Sequence, residues 1–173
     1  MLFGLAKLLR VLNSEAEPGQ ISLALGFAMI AGFTPLLSLH NLVVLLLLLV
    51  LRVNLSAFLL GLSAFSALAF ALDPLFHRIG LAVLTQPSLE GLWTTLYNST
   101  LWRLERFNNS IVMGSLVVSV GLLIPFVLAC NAVIAKYREQ ILARIKDTWM
   151  FKAIESSKFY GIYQSVSKLG GGL

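Results

Sequence analysis

Charge is scarce in this chain of 173 residues. Only 12% of them are Asp, Glu, Lys or Arg, where an ordinary soluble domain carries about 25%. Too little polar surface is available to cover a water-soluble globule, which excludes a typical soluble enzyme and a disordered chain. Cysteine is almost missing as well. The single Cys130 cannot form an internal disulfide, which excludes a disulfide-built secreted module, and its apolar surroundings mark it as a small packing residue. There is no HxxxH or HExxH pattern, no Cys pair, no GxSxG and no Gly-rich phosphate loop, so no metal, cofactor or catalytic residue is expected. No repeat recurs at a fixed period.

What is present is apolar. Hydrophobic residues make up 58% of the chain, and its mean hydropathy is +0.86. The composition predicts an all-α integral membrane protein built as one small unit. The net charge is +5, and seven of the 13 Lys/Arg lie between Lys136 and Lys168, directly after an apolar run. That placement reads as topology and attraction to lipid headgroups rather than nucleic-acid binding.

Along the chain, residues 1–17 begin with an amphipathic pattern. Leu2, Leu5, Leu9 and Leu12 share one face, and Lys7 and Arg10 lie off it, as in a helix at a membrane interface. The positive residues sit inside the pattern rather than ahead of it, unlike a cleavable signal peptide. Residues 18–135 form the membrane domain. Within it, 20–51 is a long apolar tract broken at Gly32, Thr34 and Pro35, because proline lacks an N–H and pushes the residue before it out of helical conformation. Two architectures fit: a re-entrant hairpin with its tip at the break, or two short tilted spans. Residues 55–84 form a helix that Asp73-Pro74 ends or kinks, 85–110 an external amphipathic segment rich in Trp and Tyr, and 111–135 a spanning helix. Residues 136–173 form a basic amphipathic cytoplasmic tail.

Positive residues place that tail in the cytoplasm. Residues 85–110 then lie outside, and Arg52 and both termini lie in the cytoplasm. The expected location is a membrane crossed several times.

Polar groups set in apolar sequence are the site candidates: His40, Asn41, Asp73, His77 and Arg78. His40, Asp73 and His77 lack a metal-ligand spacing, and all five also fit helix ends in the headgroup layer. Ser56, Gly61, Ala64, Ala67 and Ala71 form a small-residue stripe suited to close helix packing. It packs either on 111–135, where Gly114 and Gly121 offer a matching face, or on a helix of a partner.

The stretch from Ser22, SLALGFAMIAGFTPLLSLHNLVVLLLLLVLRVNLSAFLLGLSAF, preceded by Pro18, resembles an uncharacterised bacterial inner-membrane family. Its pattern is a helix with spaced small residues, a Gly-x-x-Pro break, a polar residue, an apolar run, then Arg/Lys-x-Asn. Gly26, Gly32, Pro35, His40 and Arg52–Asn54 stand at those positions. The basic tail and Leu-rich start are similar to a narrower proteobacterial branch, encoded beside a large envelope protein. The resemblance implies no catalytic residues. The broken helix, the small-residue stripe at 56–71 and the amphipathic segments at both faces fit a non-enzymatic subunit that anchors or gates a larger envelope protein, in lipid transport toward the outer membrane. The phospholipid membrane is a further expected partner, as is a second copy of the chain. The alternatives are a small transporter or channel with its site at Gly32–Pro35, and a membrane-embedded lipid enzyme.

Overall fold

The computed structural model describes Val11 and residues 16–142. The amphipathic start and most of the basic tail lie outside the described residues. Among those described, every regular element is helical.

Helix α1 spans Pro18–Phe33. Proline fits its first position, where the missing N–H would have had no partner anyway. The helix stops because Thr34 precedes Pro35 and takes an extended conformation, with ψ 161°. Helix α2 follows at Leu39–Val50. The tract 20–51 is therefore two short helices separated at residues 34–38. Helix α3 spans Leu55–Leu84, started by Asn54, whose side chain accepts the Ala57 N–H at 2.8 Å. It continues through Pro74 without interruption, so Asp73-Pro74 does not end it. A proline forfeits one helical bond, and the apolar packing on either side of Pro74 outweighs that loss.

Residues 85–110 do not form one amphipathic helix. They form a 3₁₀ turn at Pro87–Leu89 and two short helices, α4 at Glu90–Tyr97 and α5 at Thr100–Leu104. The chain turns extended at Ser99, with ψ 127°. This folds the segment back so that Trp93 stacks on Phe107, with ring centroids 6.0 Å apart, and donates to the Val83 carbonyl. Helix α6 runs Ser110–Lys136. From Val133 onward the chain belongs to a separate compact unit, whose described part ends in a π-helical stretch at Tyr137–Leu142. Among the described residues, two helices are long and apolar enough to cross a membrane: Leu55–Leu84 and Ser110–Gln140.

Helix α1 is the most enclosed element, with eleven buried residues. It lies parallel to α3. Asn54 donates to the Gln20 carbonyl, a Cβ on Gly61 would stand 2.8 Å from the Ala28 Cβ, and one on Gly32 would stand 2.7 Å from the Phe65 Cβ. Helix α6 runs antiparallel to both. A Cβ on Gly26 would meet Val127 and Leu123, and Phe65 packs edge-on against Phe126 at 5.6 Å. Phe33 touches both Phe65 and Phe76, at 5.3 and 5.2 Å, so an aromatic row joins α1, α3 and α6. Helices α3 and α6 come into backbone contact at Gly80 and Gly114. A Cβ on Gly80 would overlap the Ser110 carbonyl oxygen, and one on Gly114 the Phe76 carbonyl oxygen.

The small-residue stripe divides. Gly61 is buried against α1, whereas Ser56, Ala64, Ala67 and Ala71 are exposed. At 100° per residue those four fall within about 80° of one another, on the side of α3 turned away from Phe58, Phe65 and Phe76. Gly114 meets Phe76 and Gly80 rather than this stripe, and Gly121 has open space beside it.

Candidate functional site

The break between α1 and α2 gathers polar side chains from three parts of the chain. Asn41, in the first turn of α2, is 2% exposed. Its amide donates to the Thr34 hydroxyl at 3.1 Å and to the Pro35 carbonyl at 2.8 Å. The Thr34 hydroxyl in turn donates to the Ile30 carbonyl at 2.7 Å, the same carbonyl that accepts the Thr34 backbone N–H at 3.3 Å. Asn41 thus staples the start of α2 to the end of α1.

Glu105 completes the cluster from the segment between α5 and α6. It is 5% exposed. One carboxylate oxygen accepts the Leu39 N–H at 2.6 Å, and the other is paired with His40 Nδ1. Leu39 is the first residue of α2, so the carboxylate satisfies a helical N–H that would lack a partner and sits at the positive end of the helix. His40 Nε2 lies 3.0 Å from the Ser38 hydroxyl. With Nδ1 donating to the carboxylate, that hydroxyl donates to neutral imidazole and accepts from the charged form. Arg106, next in sequence, has φ 54°, in the left-handed region that residues with a Cβ rarely occupy. The chain takes this conformation directly after the buried carboxylate, before Phe107 turns back under Trp93.

The cluster can hold a negative charge and a proton on a carboxylate–imidazole pair, and it can fix two parts of the chain to each other. A hydroxyl also converges on it: Ser38 Oγ, His40 and Glu105 stand in hydroxyl–imidazole–carboxylate order. Among the described residues, no buried side-chain nitrogen or oxygen lacks a partner, and no group of three metal-ligating side chains occurs. A shallow depression elsewhere is lined by Trp93, Tyr97, Asn98 and Phe107.

The sequence candidates therefore separate. Thr34, Pro35, His40 and Asn41 come together, while Gly32 packs beside Phe65. His77 lies apart, its Nδ1 2.7 Å from the Ser110 hydroxyl, where it joins α3 to α6. Asp73 is half-buried and Arg78 exposed, and no ion pair links them. The residue that sequence reasoning missed is Glu105. It lies in 85–110, the segment read as amphipathic and external. The only signal was its solitude, as the sole acid between Glu90 and Glu139.

Fold and site together define a protein whose described residues are helical, with two helices among them fit to cross a membrane and a polar cluster at a broken helix pair. The chain belongs to the family described as "Uncharacterized protein conserved in bacteria (DUF2062)", whose pattern matches residues 4–142. It is similar to a protein of Treponema pallidum (strain Nichols), described as "Uncharacterized protein". The two are 23% identical over 157 residues, which cover 91% of this chain and 97% of the other. No solved structure matches the chain.

Proposed function

We propose that this chain is a non-enzymatic subunit of the bacterial inner membrane that anchors a larger envelope protein and serves lipid movement toward the outer membrane. The observation that carries the reading is the outward face of α3. Ser56, Ala64, Ala67 and Ala71 are exposed on a helix long enough to cross. Helices in lipid associate by close van der Waals approach, which small side chains permit. The resemblance to proteins encoded beside a large envelope protein supports a partner of that kind. The short segment 85–109, tied to α2 through Glu105, is an external platform in this reading.

Leucine at Ala64 is expected to push a partner helix away while leaving the interior of the chain untouched. Co-purification of a large envelope protein from native membranes should fall about tenfold, equivalent to the roughly 1–3 kcal/mol of overpacking, with unchanged stability of the chain itself. Loss of stability together with the partner would show that the stripe packs inside the chain. Loss of neither would leave it facing lipid and end this reading.

The orientation in this reading follows the Lys/Arg excess after Lys136. In whole cells carrying Cys130→Ser, an impermeant thiol reagent should label Asn98→Cys and spare Lys158→Cys. The opposite pattern would reverse the topology.

A further inference from the structure

We propose that the α2 side of this chain thins the leaflet opposite Arg52, so that phospholipid headgroups and water descend to the break at residues 34–38. The proposal rests on the membrane reading above but not on any protein partner.

Two independent observations carry it. The first is length. Helix α2 has 12 residues, so it rises about 18 Å, against a hydrocarbon core of about 30 Å. Helix α3 has 30 residues and α6 has 27, about 45 and 40 Å, enough to cross fully. Arg52 and Asn54 mark the lower end of α2, and Ser38 and His40 its upper end. A rigid helix cannot lift that upper end further, and any tilt lowers it. The break therefore lies roughly 10 Å short of the opposite surface of an undeformed bilayer.

The second is the backbone at that depth. Leu37 is 99% exposed and Leu36 59% exposed. Among the described residues, the N–H groups of Leu36, Leu37 and Ser38 donate no hydrogen bond. Irregular backbone facing lipid inside the hydrocarbon does not persist, because no solvent there can satisfy its open polar groups. Headgroups or water must reach these N–H groups. Asn41 and Glu105 satisfy only what faces inward, namely Thr34, the Pro35 carbonyl and the Leu39 N–H. The side facing α1 is closed and the side facing lipid is open. A bilayer with a short route between its surfaces along α2 lowers the barrier that a headgroup meets when it changes leaflet, which suits a subunit serving lipid movement.

The test measures depth. The full chain with Cys130→Ser is reconstituted in dioleoyl-phosphatidylcholine vesicles, with an environment-sensitive fluorophore on Leu37→Cys, Ala67→Cys or Asn98→Cys. Ala67 is exposed on α3, 12 residues above its start, about as high as the break stands above Arg52. Thinning predicts that aqueous iodide quenches the Leu37 label within about twofold of the external Asn98 label, and the Ala67 label at least about fivefold less. Headgroup-placed spin labels should quench at Leu37, and mid-chain ones at Ala67. Leu36→Cys repeats the measurement at a neighbouring exposed position. Equal, weak iodide quenching at Leu37 and Ala67 would overturn the proposal while leaving the membrane reading intact. Failure of the chain to float with vesicles after an alkaline wash would overturn both.

Discussion

Leucine at Gly114 is expected to abolish the folded helix bundle. A Cβ there would overlap the carbonyl oxygen of Phe76 and stand 2.9 Å from the Gly80 nitrogen. The obstacle is backbone on a neighbouring helix, so no side chain can swing away, and α3 and α6 must separate. That separation would also part His77 from Ser110 and loosen the aromatic row around Phe76. Even alanine should cost about 3 kcal/mol or more, at the upper end of overpacking penalties. Gly121→Ala is the control, because nothing lies within 4 Å of a Cβ at that position. It should be neutral or stabilise by up to about 1 kcal/mol through helix propensity. Unfolding of the purified chain by increasing SDS in mixed micelles compares the three. Equal stabilities for Gly114→Ala and Gly121→Ala would show that the glycine contact does not hold these helices together.

Glu105→Leu is expected to have the next largest effect. It removes the acceptor of the Leu39 N–H and leaves His40 without its carboxylate, while putting a side chain of similar size in the same buried place. Leaving the Leu39 N–H and the imidazole without their acceptor costs about 1–3 kcal/mol for each buried group. Glu105→Gln keeps an oxygen to accept the Leu39 N–H but loses the charge, so it should cost less. Combination with His40→Leu separates pairing from mere burial. The double variant should be less destabilised than the two single losses together, by roughly 0.5–3 kcal/mol, because each substitution removes a group that the other would leave unpaired. Strict additivity in the same SDS titration would mean that the two side chains act independently, and Glu105 would lose its place in the site.

Together these variants probe two levels of the molecule. Gly80 and Gly114 set how near α3 and α6 approach. Glu105 sets whether the segment after α5 stays fastened to α2. Ala64 probes only the outside of α3. A partner-binding defect at Ala64 with intact stability is therefore distinguishable from collapse of the bundle.

Much of the architecture was legible in the order of residues. The apolar runs required helices, since backbone polar groups in such surroundings must be satisfied within the segment. Thr34-Pro35 required a break, because the proline ring constrains the residue before it. Asn41 and His40 stood out as polar groups inside an apolar run. These are local or compositional consequences, and they need no knowledge of what lies across the bundle.

Tertiary structure alone decided the rest. Helical spacing grouped Gly61 with Ala64, Ala67 and Ala71, but only the position of α1 determined that Gly61 turns inward while the alanines face out. Gly80 carried no mark in the sequence, because a glycine's closeness to another backbone exists only once both helices are in place. The sequence leaves Pro74 as either an end or a kink of the 55–84 helix, and α3 runs through it, since packing on both sides outweighs one missing hydrogen bond. Glu105 is the clearest case. It is separated from His40 by 65 residues, and its neighbours Arg103 and Arg106 suggest a solvated surface. A buried carboxylate is tolerable only where donors converge, and those donors are an N–H at the start of α2 and an imidazole one residue further on. No periodicity or spacing encodes that convergence, because it arises from the fold-back of residues 85–109 onto the broken helix pair.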